Sequence, residues 1–295
     1  MQCSKNLHDI GIALHNYHQT ANRFPYGGSN SAVPKGFNPW AMKHWDHHGS
    51  WMLHIMPFME MGDYFNACAF DRNTCHNSMF GDRFVHEYWI DVFLCPSDEP
   101  PKYWDGNPLY HGTAGSTKGQ KRATANYGAS IGNQAFWLCG TGGNMFGTGP
   151  ATHSDTLDGS QISGVFGHMA WAASIDEITD GTSNTICVGE VRPRCSWHLW
   201  DGWMHINSNG WIATTAPINY PTCVDEPGYN PSSQCNRPDA WGTAQGFKSR
   251  HPGGVNFLLC DGSTRFLLET IDYEIYQRLG DRRDGGTIGN IDAHQ

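Results

Sequence analysis

Two apolar runs, at 255–260 and 263–268, are separated only by Asp261-Gly262. An Asp-Gly pair between short apolar runs marks a β-hairpin, and a two-residue loop of type I′ is expected there. Such a hairpin commits the chain to an antiparallel sheet, and a half-apolar sheet needs a covering layer. Residues 4–21 can supply that layer. Leu7, Ile10, Leu14 and Tyr17 recur at helical spacing, Ser4 is placed to cap, and Lys5, His8, Asn16 and Gln19 fill the other faces. The expected fold is α+β, an amino-terminal helix packed on an antiparallel sheet that contains the hairpin.

The rest of the chain reads as short elements in long loops. A second helix is expected over 51–66, kinked by Pro57, with another apolar-periodic segment at 84–94. Strands are expected at 124–131, 164–169 and 185–191, and a terminal helix at 272–279 with Gly280 as its C-cap. Gly, Ser, Thr and Asn dominate 105–170, while Trp, Pro, Cys and Gly without periodicity fill 195–245, so both read as loop-rich insertions. The organisation is then a helix at 1–22, one main domain at 23–280, and a mobile tail at 281–295.

Composition narrows the function. Charged residues are 16% of the 295, against about 25% in ordinary soluble chains. A net charge of -9 argues against a nucleic-acid partner. Ten cysteines, none in a Cys-x-x-Cys pair, favour disulfides outside the cytoplasm over thiolate zinc knuckles. Short loops favour Cys68–Cys75 and Cys223–Cys235 bridges. Cys139, Cys187, Cys195 and Cys260 are left unassigned, with Cys187 and Cys260 on strands that could be neighbours. No apolar run reaches the roughly 18 residues of a membrane span, and no export signal is visible. An exported chain without an export signal implies that a preceding segment is missing.

Neither a Gly-x-Ser-x-Gly elbow, a His-Glu-x-x-His helix nor a phosphate-binding loop occurs, and the chain does not read as an enzyme. His44, His47, His48 and His54, near Trp40, Trp45 and Trp51, could bind zinc or copper or could simply line a loop. Trp197, Trp200 and Trp203 recur every three residues and could stack on sugar rings or plug a small core.

Met1-Gln2-Cys3-Ser4-Lys5-Asn6-Leu7-His8-Asp9-Ile10-Gly11, Phe24-Pro25, Phe93-Leu94-Cys95-Pro96-Ser97-Asp98 and Ile178-Thr179-Asp180-Gly181-Thr182-Ser183-Asn184 stand in order ahead of His251, nine residues and Asp261-Gly262. Together they closely resemble planctomycete-type pilin-like (pseudopilin-like) proteins, which carry a prepilin-type cleavage signal and a large exported domain of unknown function. The resemblance implies a type IV pilin-like fold with an apolar half-helix ahead of Met1. It also implies display at the cell surface and a structural role in a pilus-like or type II secretion-like assembly. The partners would be other pilin-like subunits, gripped through that half-helix, which would also be the sole membrane contact. The alternative function is a surface module that binds glycans or another polymer.

Three finer expectations follow. Some pseudopilins hold calcium in a comparable loop, which points to Asp180 and Asn184, with Glu190 completing either the metal shell or a hydrogen-bond network; a plain capped turn is the alternative for the first two. His251 and the turn Asp261-Gly262 would form a structural brace. Cys3 and Cys95, each in a family landmark, would tie the first helix to the Cys-Pro-Ser-Asp turn.

Overall fold

The structure is a computed structural model, and it describes residues 1–28, 48–70, 75–99, 103–104, 121–136, 139, 152–224, 226–286, 288–289 and 291–294. His44 and His47, with Trp40 and Trp45, lie outside the described residues, as does most of 105–151. The architecture is α+β, with a mixed, mainly antiparallel sheet.

Helix α1 spans Gln2–Ala21 and buries Leu7, Ile10, Ala13 and Leu14 along one stripe. It starts two residues ahead of the expected cap. Met1 is the N-cap, and the Ser4 hydroxyl reaches 2.9 Å across to Thr264 Oγ1 instead. Asn22 ends the helix in the left-handed conformation, its N–H donating to the His18 carbonyl.

The central sheet has five strands: β1 (Tyr127–Gly132), β2 (Ile186–Glu190), β3 (Ile212–Ala213), β4 (Gly254–Leu259) and β5 (Thr264–Leu268). Their order is β3-β1-β2-β4-β5. Neighbours run antiparallel except β1 and β3, which are parallel. Side chains alternate across β4 as a strand requires. Leu258 joins the core that contains α1, while Val255, Phe257 and Leu259 join Tyr276 and Leu279 on the other face. Helix α2 (Tyr273–Gly280) covers that second face. The sheet is thus clad on both sides, which is why β1 and β2 are buried throughout.

Gly11 sets the approach of α1 to the sheet. A Cβ there would stand 2.8 Å from Leu258 Cδ1.

The hairpin forms where expected, but with a different turn. Leu259 and Ser263 close the ladder, so the loop is Cys260-Asp261-Gly262. The Gly262 N–H donates to the Leu259 carbonyl, and among these three residues only Gly262 has positive φ, at +87°. A type I′ loop needs two such residues; a three-residue loop with a left-handed glycine needs one.

Other expectations change in detail. The helix expected at 51–66 breaks into Trp51–Ile55, a 3-10 turn Met56–Phe58 and Gly62–Asn66, with Glu60 at φ 58° between the pieces. Pro57 cannot donate its backbone nitrogen, so the ladder fails there. The segment at 164–169 contributes one bridge, Phe166 to Ala172, and no strand. The C-cap of α2 is Asp281, and Gly280 is its last helical residue.

Among its described residues the tail packs against the domain and does not hang free. Arg282 is buried with its guanidinium on the carbonyls of Ile162 and Gly159, and Ile288 and Ile291 fill the α2-side core.

Candidate functional site

The disulfides redraw the expected pairing. Cys3 is bonded to Cys95, joining α1 to the Cys-Pro-Ser-Asp turn. Cys223 is bonded to Cys195 and Cys235 to Cys139, in place of a Cys223–Cys235 bridge. Sequence proximity misleads here because the insertion folds back on the main domain: Thr222 donates its hydroxyl to the Cys195 carbonyl, seating Cys223 beside Cys195. Cys68 and Cys75 lie together as buried thiols and not as a bridge, with the Cys68 thiol on the Tyr64 carbonyl, one helical turn back. Cys187 and Cys260 are likewise neighbouring buried thiols.

The proposed calcium residues do not converge. Asp180 accepts from the Gly285 N–H at 3.1 Å, and Asn184 donates its amide to the Asp180 carbonyl at 3.3 Å. These are turn caps. Glu190 ends a strand six residues beyond Asn184, roughly 20 Å at 3.3 Å per residue.

The three tryptophans do not share an exposed face. Trp203 is fully buried and donates its indole N–H to the Tyr88 carbonyl. Trp197 and Trp200 are half-buried, and Trp200 donates to the Pro193 carbonyl. Trp197 and Trp200 stand one 3-10 turn apart with ring centroids at 5.8 Å, whereas Trp203 follows Gly202, whose φ of 82° ends that turn and sends the third indole inward. His54 is buried between Phe65 and Phe70, with its Nε2 3.0 Å from the His48 carbonyl.

The structure brings a different set together. Glu190 stands at the end of β2 and is buried. Its Oε2 accepts from the Asn256 backbone N–H at 2.8 Å and from the Asn256 side chain at 3.1 Å. Its Oε1 is left facing His251 Nε2 at 3.1 Å and Cys95 Sγ at 3.4 Å. His251 therefore braces Glu190 and not the turn Asp, since Asp261 accepts from the N–H and hydroxyl of Ser263. Burial raises the pKa of the Glu190 carboxyl, opposed by the Asn256 N–H and by His251.

A second layer continues from the same turn. The Cys95 N–H donates to Asn126 Oδ1, and Asn126 donates its amide to Asp98 Oδ2 at 2.8 Å. Asp98 Oδ1 accepts from Arg192 Nε at 3.2 Å, and Arg192 holds Glu226 by two bonds of 2.6 and 2.7 Å. The guanidinium lowers the pKa of the Glu226 carboxyl. Sequence reading named Cys95, Asp98, Glu190 and His251 but missed Asn126, Arg192 and Glu226. No spacing rule links Cys95 to His251, 156 residues away, so only the fold shows that the landmarks meet at one end of the sheet.

Chemically, the arrangement is a buried carboxylate–imidazole pair against a disulfide, backed by an Arg–carboxylate lattice. Its polar atoms are largely spent on one another. No curated protein matches this chain, and no solved structure matches it. A family model described as a protein of unknown function, DUF1559, matches residues 1–274, and the chain belongs to that family.

Proposed function

We propose that the protein is a structural subunit or accessory component of a pilus-like or type II secretion-like surface assembly, built on a pilin-like fold. One observation carries the reading. Helix α1 lies along the sheet with a single buried stripe, and its first turn is bolted to the domain through Cys3 and Cys95. That leaves the start of the helix at the surface, with Met1 fully exposed, where a preceding helical segment could project into a shared bundle. The three disulfides suit an oxidising, exported setting. Among the described residues no helix is long and apolar enough to cross a membrane.

The reading is of a structural protein and not of an enzyme. With Trp203 buried, the glycan-binding alternative keeps only the half-buried pair Trp197 and Trp200 and not a face of three rings. The test is immunogold electron microscopy of the source cells with antibody raised to this chain. Label along filaments is the expected result. Label scattered singly over the envelope, or confined to the cell interior, overturns the assembly.

A further inference from the structure

The pair Glu190–His251 and the disulfide Cys3–Cys95 place four metal-ligating atoms within 4.8 Å of one another. Three of the spacings have a metric meaning. With zinc–sulfur near 2.3 Å, zinc–nitrogen near 2.0–2.1 Å and zinc–oxygen near 2.0–2.2 Å, a tetrahedral site has S···N and S···O edges of about 3.5–3.6 Å and an N···O edge of about 3.3 Å. Here Cys95 Sγ lies 3.6 Å from His251 Nε2 and 3.4 Å from Glu190 Oε1, and His251 Nε2 lies 3.1 Å from Glu190 Oε1. The sulfur–sulfur edge is short because those atoms are bonded, where a zinc site needs them about 3.8 Å apart, and the Cys3 sulfur lies within 4.8 Å of the other two ligand atoms.

The support around the ligands fits as well. Asn256 fixes Glu190 Oε2 with two donors, which orients Oε1 inward as a single ligand oxygen. The His251 side chain is 20% exposed while Glu190 is 2% exposed, so the imidazole edge gives a route in from solvent.

We infer that the chain with Cys3–Cys95 reduced holds one zinc ion on Cys3, Cys95, Glu190 and His251, and that disulfide and metal exclude each other at this site. The chemistry balances. A thiol reductant gives two electrons and two protons to the disulfide and is itself oxidised to a disulfide, leaving Cys3 and Cys95 as thiols. Zinc then binds both sulfurs as thiolates, and their two protons pass to solvent. A disulfide oxidant reverses the exchange: it takes the two electrons from the sulfurs and two protons from solvent to become two thiols, Cys3–Cys95 re-forms, and the ion leaves. The inference does not rest on the surface-assembly reading.

Cobalt(II) is the probe, because thiolate–cobalt charge transfer and tetrahedral d–d bands report ligand type and geometry directly. The full chain is reduced with a phosphine, which takes the oxygen of one water as phosphine oxide while the water's two hydrogens go to the two sulfurs. Expected are one equivalent of cobalt with the tetrahedral thiolate spectrum, displacement by zinc, and no such spectrum in the oxidised chain. Cys3→Ser with Cys95→Ser, which keeps the other cysteines, should abolish the spectrum. His251→Gln should weaken binding at least about 10-fold. Near-UV circular dichroism checks that each variant stays folded, and Glu190→Gln, nearly isosteric, is the second probe of the ligand set. Stoichiometric cobalt absent from the folded, reduced chain, or a spectrum that survives the double serine variant, overturns the site.

Discussion

The layer formed by α1 and the β4–β5 hairpin, and the insertion at 195–245, are both buried but are held by different means. The first is an apolar stripe against an apolar sheet face, drawn close by Gly11 and tied once, at the first turn of α1, by Cys3–Cys95. The second has little periodic structure. It wraps Trp203 and Trp211 into the domain, surrounds Trp211 with His153, His168 and His198, and is stitched by Cys139–Cys235 and Cys195–Cys223. Where side chains recur at a fixed period, packing does most of the ordering of the backbone. Where they do not, covalent links and buried hydrogen bonds carry more of the load.

Opening the insertion's two bridges is the sharpest way to break that contrast. Cys139→Ser with Cys195→Ser should cost about 3–5 kcal/mol per bridge by loop closure. Hydrogen exchange should show 195–245 losing protection first, with α1 and β4 protected until global unfolding. Equal loss in both regions would mean the two are one cooperative unit.

Leu258→Ala attacks the other region. It removes the side chain that fills the space beside Gly11 and should cost about 2–5 kcal/mol in denaturant melts. A cost under about 1 kcal/mol would show that the helix–sheet contact is looser than described.

These same residues show why one region was legible and the other was not. Leu7, Ile10 and Leu14 announce a helix because the period is local, and Val255, Phe257 and Leu259 announce a strand for the same reason. The turn type was misread because an Asp-Gly pair serves both two- and three-residue loops, and the choice depends on whether residue 259 pairs with 263. The partners of Cys223 and Cys235, and the meeting of Asn126, Arg192 and Asn256 around Glu190, depend on contacts across the fold that no local pattern encodes. The Cys3–Cys95 link came from a family resemblance and not from periodicity.

Acid should act on the insertion through buried His198 and on the Trp51–Ile55 helix through buried His54. Burial lowers the pKa of His54 to about 4 and of His198 to about 3, so both stay neutral in the folded chain. The unfolded chain protonates them as pH falls through about 6.5, and there it binds more protons than the native state. Stability is therefore full above pH 6.5 and declines as pH falls toward 4 and below, by on the order of 2 kcal/mol per histidine at pH 5. Melting curves from pH 7.5 to 5 should show the decline, and His198→Phe should flatten it. A slope unchanged in that variant would assign the acid response elsewhere.

Calcium should have the smallest effect. With Asp180 and Asn184 engaged as turn caps and Glu190 at the far end of its strand, millimolar calcium should move the melting temperature by less than about 1 °C. A larger rise, lost in Asp180→Ala, would restore a calcium site at that turn.

The pairing of cysteines tests the account most directly, because it reports the way each region is held. Non-reducing peptide mapping of chain isolated in air should recover Cys3–Cys95, Cys139–Cys235 and Cys195–Cys223 as cross-linked peptides. A Cys223–Cys235 peptide, or free thiols at Cys3 and Cys95, would contradict it.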